Sequence, residues 1–185
     1  MSEIASRAQL RMSLVRWALV VVPLTVLLGF LSGQVGASGN ENTWYRALAK
    51  PWYNPPGFVF PVAWTLLYIA IALALAIVLN ARGARGRGVA IGLWVAQFAL
   101  NLSWSPVFFG AHQATAGLVI IVLMFVLAVA ATFAFGRIRP LAAWLMVPYL
   151  GWLVFAGALN LAIVWLNPEA DGVAPRGSST QIELR

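Results

Sequence analysis

Five apolar runs, each of membrane-crossing length, constrain this chain more than any other feature. They lie at Leu14 to Gly33, Pro61 to Asn80, Val89 to Gly110, Ala114 to Phe135 and Leu141 to Leu166. About 20 consecutive apolar residues make a helix long enough to cross the hydrocarbon core. Gly, Pro, Asn and Arg punctuate the ends of the runs. In hydrocarbon every backbone N–H and C=O must find an internal partner, which leaves helix bundles and closed barrels. A barrel would show short alternating segments, so continuous runs select helices. The expected fold is an all-α membrane protein, a five-transmembrane-helix bundle with a long folded loop between helices 1 and 2. Composition points the same way: 62% hydrophobic and 9% charged residues leave too little polar surface for a soluble domain.

A net charge of +7 raises the question of nucleic acid. The arginines answer it, because they sit between the apolar runs in the positive-inside pattern of a membrane protein, and no nucleic-acid partner is expected. Arg7, Arg11, Arg82, Arg85, Arg87, Arg137 and Arg139 fall on one side, and Glu41, Arg46, Lys50, His112 and the mixed-charge C-terminal tail on the other. The bias places the N-terminus in the cytoplasm, with a bacterial inner membrane as the expected location. The basic loop Arg82-Gly83-Ala84-Arg85-Gly86-Arg87 is expected to touch anionic headgroups. Residues 1–13 form a basic extension, 14–167 the transmembrane domain, and 168–185 a tail rich in Gly, Ser, Pro and acids that is expected to be disordered. Val35-Gly36-Ala37 looks like a signal-peptidase site, but the apolar stretch before it is a full span and is expected to be retained.

Polar residues within the spans are costly unless paired, which makes them informative. In the third span Gln97, Asn101, Trp104 and Phe108 follow one another at i, i+4, i+7 and i+11, on one helix face. The fifth span repeats the pattern with Trp152, Ala156 and Asn160, preceded by Tyr149, and the second offers Trp64 and Tyr68. Three helices that each present an aromatic with a polar handle can build an apolar pocket with a few orienting hydrogen bonds, suited to a flat hydrophobic ligand. The same amides would serve equally as hydrogen-bonding glue between helices. Gly29 with Gly33, and Gly88 with Gly92, have spacings that could mark helix or dimer contacts.

The long loop from Gln34 to Phe60 carries Trp44, Tyr45, Trp52, Tyr53, Phe58 and Phe60 with Pro51, Pro55 and Pro56. Proline stiffens the backbone and the aromatics carry large apolar area, so the segment is expected to fold back on the bundle as a lid, with Pro51, Trp52, Pro55 and Pro56 in it. Catalytic groupings are nearly absent. With one histidine, no cysteine and five acids, all outside the spans, no acid pair, metal cluster or Ser-His-Asp set can assemble within the membrane. His112, between the third and fourth spans, is expected to be interfacial and solvated.

Several motifs in order carry a resemblance. Trp44-Tyr45-x-x-Leu48-x-Lys50-Pro51-x-x-x-Pro55-Pro56 is followed by Phe60-Pro61-x-x-Trp64-Thr65-x-x-Tyr68. Then come Gln97-x-x-x-Asn101-x-x-Trp104-Ser105-x-x-Phe108-Phe109 and Pro148-Tyr149-x-x-Trp152-x-x-Phe155-Ala156-x-x-Leu159-Asn160. From Trp44 to Asn167 this resembles the TspO/translocator protein family, the tryptophan-rich sensory proteins or peripheral-type benzodiazepine receptors. The resemblance implies a five-helix bundle, usually a homodimer, whose pocket binds porphyrins such as protoporphyrin IX, sterols in some members, and benzodiazepine-type ligands. No obligatory cofactor and no metal are expected. Family pocket residues correspond to Trp64, Gln97, Asn101, Trp152 and Ala156. Some members are held to degrade porphyrin in light with the two tryptophans matching Trp64 and Trp152, and transport of porphyrin or sterol is a third activity. The Tyr and basic residue of the mammalian cholesterol pattern are missing between Leu161 and Asn167, which counts against sterol transport here.

Overall fold

The computed structural model describes residues 7–35 and 37–172. Helix α1 runs Arg7–Val35, the short α2 Thr43–Ala47, α3 Val59–Asn80, α4 Arg87–Ser105, α5 Ala114–Ile138 and α6 Pro140–Leu166. The five long helices are the five expected spans. α1 begins at Arg7, so the basic stretch from there is continuous with the first span, while residues 1–6 lie outside the described residues. By length and hydropathy α3, α5, α6 and the N-terminal helix could each cross a membrane alone. α4 is diluted by Gln97, Asn101, Ser103 and Ser105, of which all but Ser103 are buried within the bundle.

Packing follows from side-chain size. Ala72, Ala74, Ala76, Ala90, Ala128, Ala131 and Ala142 are fully buried, whereas Leu19, Phe30, Val126, Phe133, Trp144 and Trp165 are each more than half exposed. Water drives no helix association within a bilayer, so small residues go inside, where they let backbones approach, and large apolar ones face lipid. α1 packs along α3, α3 on α6, α6 on α5 and α5 on α4, with α1 touching α4 more lightly to close the ring. One close approach demands a glycine. A Cβ on Gly29 would lie 2.1 Å from Cε2 of Tyr68, so that position cannot carry a side chain while the Tyr68 ring rests on α1. Gly29 thus serves a contact within the chain, while Gly88 and Gly92 face open space.

Two connections differ from expectation. The third span does not remain an α-helix to Gly110, because Pro106 offers no N–H and the chain widens into a π turn over Pro106–Gly110, with Ala111 N donating to Pro106 O at 2.9 Å. The wider turn sends Phe108 and Phe109 inward, and Phe108 stacks on Trp104 with centroids 4.8 Å apart. In the basic loop Arg87 turns back to the C-terminus of α3, donating to Val78 O at 3.1 Å and Leu79 O at 2.8 Å. A cation there meets the carbonyls left over at a helix end, so this arginine caps a helix where a headgroup contact was expected.

The tail also begins ordered. Asp171 Oδ1 accepts from the backbone N–H groups of Ala114 and Thr115 at 2.6 and 3.2 Å, capping the N-terminus of α5. Ala170 is buried, and its carbonyl accepts from Trp44 Nε1 at 3.1 Å. The expected disorder therefore does not hold for residues 168–172, and residues 173–185 lie outside the described residues.

Candidate functional site

The helices enclose a cavity of about 1250 Å³ beneath the loop. Its wall includes Trp64 and Tyr68 from α3, Asn101 and Trp104 from α4, Phe108 from the π turn, and Trp152, Ala156 and Asn160 from α6. Eight of the ten pocket residues expected from sequence thus meet around one space. Gln97 and Tyr149 do not reach it; both are fully buried behind the wall.

Those two belong to a chain of hydrogen bonds that ties three helices. Tyr68 Oη donates to Asn101 Oδ1 at 2.8 Å, Asn101 Nδ2 to Tyr149 Oη at 3.2 Å, and Tyr149 Oη to Gln97 Oε1 at 2.7 Å. For Gln97 and Tyr149 the glue alternative is the one realised, while Asn101 does both, bonding across helices and bordering the cavity. Asn160 is also double-purposed: its Nδ2 donates to Ala114 O at 2.9 Å and its Oδ1 accepts from Trp104 Nε1 at 3.4 Å. Nearby, Gly117 leaves room for this cluster, since its Cβ would fall 3.0 Å from Phe108 and 3.2 Å from Asn160 Oδ1.

Trp64 and Trp152 lie against each other, with centroids 6.1 Å apart and planes at 80°. Two indoles so arranged cannot sandwich one flat ring; they form a corner, to which Phe60 adds an edge 6.1 Å from Trp152. Among the described residues the buried polar side-chain atoms without a hydrogen-bond partner are Trp152 Nε1, Ser105 Oγ and Gln97 Nε2, and the first two belong to residues of the cavity wall. Ser105, one turn beyond Asn101, was missed in the sequence although its i+4 spacing placed it on the same face; Met124, Leu153 and Phe155 of the wall carried no comparable polar signal.

The loop forms a roof, but not with all the expected residues. Pro55 and Pro56 border the cavity, whereas Pro51 does not, and Trp52 is 96% exposed and points away. The covering pieces are Trp44 and Tyr45 of α2, buried against Phe108 and Phe109. Asn42 caps α2 by accepting from Tyr45 N at 2.9 Å and donates to Phe109 O at 3.0 Å. Lys50 closes the other end: its ammonium donates to Tyr45 O at 2.6 Å and to Leu48 O at 3.0 Å, over the Tyr45 ring. Desolvation lowers the Lys50 pKa, and burial raises that of the Tyr45 hydroxyl, partly offset by its hydrogen bond with Asn54. His112 is half-buried rather than solvated, in a left-handed backbone conformation, its ring stacked on Trp44 at 5.0 Å. Among the described residues no three His, Asp or Glu side chains gather as a metal site.

These features define the class: an integral membrane protein of five spanning helices that enclose an aromatic cavity under a folded extramembrane loop. Within that class, the chain belongs to the TspO/MBR family, which it matches over residues 20–166. It is 40% identical over 148 residues to the tryptophan-rich protein TspO of Chlorobaculum tepidum, covering 80% of this chain and 93% of that protein. To the tryptophan-rich sensory protein of Cereibacter sphaeroides it is 39% identical over 138 residues, covering 73% and 85%. With the translocator protein of Homo sapiens it shares 38% identity over 138 residues, covering 74% and 82%.

Proposed function

We propose that this protein is a membrane receptor that binds a flat, mostly apolar ligand of the tetrapyrrole class, protoporphyrin IX or a close relative, in the cavity beneath α2. The observation that carries the reading is the cavity itself. At about 1250 Å³ it exceeds the roughly 300–1,000 Å³ of ordinary small-molecule sites. Its wall is aromatic, and Trp152 Nε1 and Ser105 Oγ are donors with unused capacity. Offset or edge-on contact with an indole contributes about 0.5–1.5 kcal/mol beyond burial. The corner of Trp64 and Trp152 would seat one face and edge of the ring, Ala156 would leave room for it, and Asn101 would orient its polar edge. The protein would act as a homodimer in a bacterial inner membrane, N-terminus in the cytoplasm.

A second reading, light- and oxygen-dependent degradation of the bound porphyrin, is favoured by the two adjacent indoles at the wall, which could donate electrons to an excited ring. The test is titration of the detergent-solubilised protein with protoporphyrin IX in the dark, followed by tryptophan quenching, alongside Ala156→Leu and Trp152→Phe. Saturable binding that Ala156→Leu weakens by roughly fivefold to a hundredfold, as overpacking by about 1–3 kcal/mol would give, supports the cavity as the site. Absent binding, or equal binding by all three proteins, would sink it. Illumination with and without oxygen then separates a receptor, which leaves the ligand spectrum to ordinary photobleaching, from a degrading enzyme.

A further inference from the structure

We infer that the ligand enters the cavity sideways from the bilayer, through a slot between α1 and the first two turns of α3, while the roof stays shut. This rests on the cavity being the binding site. The cavity wall is unevenly exposed. Every wall residue contributed by α4, α5, α6 and the π turn is buried or half-buried, whereas the exposed ones lie on α1, on the loop, or between Phe58 and Thr65. Among them Phe30 is 61% and Phe58 71% exposed while bordering the cavity, so the interior space runs out to the lipid-facing surface there.

The depth of the slot places it in hydrocarbon. Phe30 lies five residues before the end of α1 and Thr65 six after the start of α3, which is about 8 and 9 Å along each helix at 1.5 Å per residue. With 22 residues α3 is about 33 Å long against a core of about 30 Å, so the lower part of the opening is below the headgroups. The upper part is rimmed by Gln34, Ser38, Asn40 and Glu41. A slot that is polar above and apolar below matches a ligand with an apolar body and a polar edge lying at the interface. On its other flank α1 is tied to α4 at the same depth, with Ser32 Oγ donating to Leu102 O at 2.6 Å.

The roof, by contrast, is bolted. Ala49 and Asn167 exchange two hydrogen bonds of 2.9 Å each, Trp44 is tied to Ala170 O, and Asn42 to Phe109 O. Lifting α2 would break all four and expose Trp44 and Tyr45 to water, while the slot is bordered by side chains that are already exposed, Phe30, Phe58 and Thr65 among them.

A residue in a passage raises or lowers the barrier for both directions. Thr65→Phe should therefore slow association and dissociation of protoporphyrin IX together, by about tenfold for each 1.4 kcal/mol of added barrier, and Phe30→Ala should speed both. Both positions are exposed, so folding is little affected. Asn167→Ala, which loosens the roof, should leave both rates as they are. The assay is stopped-flow tryptophan quenching with the protein in liposomes. If Asn167→Ala speeds exchange while Thr65→Phe and Phe30→Ala do nothing, entry is through the roof and the inference is overturned. If the wild type shows no saturable binding, the cavity reading fails first and takes this one with it.

Discussion

The contact between Gly29 and Tyr68 makes a sharp prediction. An alanine methyl at position 29 would sit 2.1, 2.5 and 2.7 Å from three carbons of the Tyr68 ring, where carbon atoms normally rest about 3.5–4.0 Å apart. The ring must therefore move by about 1.5 Å. It is hemmed in by Trp64, stacked at 5.3 Å, and by Phe98 edge-on at 6.1 Å, so it cannot swing freely aside. A shift of that size pulls Tyr68 Oη off Asn101 Oδ1, now 2.8 Å away. Overpacking costs about 1–3 kcal/mol and the broken buried hydrogen bond about 1–3 kcal/mol more. Against this, alanine gains about 1 kcal/mol over glycine in a helix interior. Gly29→Ala should thus destabilise the protein by about 1–5 kcal/mol. Thermal unfolding in detergent, followed by tryptophan emission, reads this out as a lowered midpoint. The decisive comparison is a double-mutant cycle with Tyr68→Ala: once the ring is gone, Gly29→Ala should be neutral or stabilising. A wild-type-like midpoint for Gly29→Ala alone would refute the packing argument.

Two other perturbations follow from the loop side of the bundle. Asp171→Ala removes the cap of α5 and should cost about 0.5–2 kcal/mol in the same unfolding assay, with Asp171→Asn retaining most of the stability because its amide oxygen can still accept. Asn167→Ala deletes both bonds to Ala49 and should raise the hydrogen-exchange rate of the Ala49 amide, without a comparable change in the centre of α3.

Much of this protein was legible before any coordinates. The five spans were, because hydropathy and length are local properties and the bilayer demands the same of every crossing segment. Helical periodicity also put Asn101 with Trp104, and Trp152 with Ala156 and Asn160, on common faces, and those faces do meet around one cavity. What periodicity could not tell is what stands opposite a face and how near. Gln97 and Asn101 are one turn apart on the same side of α4, yet only Asn101 borders the cavity, because Tyr149 of α6 covers Gln97. Trp52 and Trp44 are equally aromatic loop residues. One projects from the surface and the other is buried on Phe108, a difference set by the π turn at Pro106 and by the carbonyl of Ala170, more than a hundred residues away.

The sequence alone thus determined the solvent, the number of crossings and the composition of each helix face, since these depend only on residues near one another in the chain. The order of helices around the ring, the glycine beneath Tyr68, the corner made by Trp64 and Trp152, and the side on which the cavity opens were decided by tertiary structure. Each depends on the distance between helix axes, which the volumes of side chains from two or more spans set together.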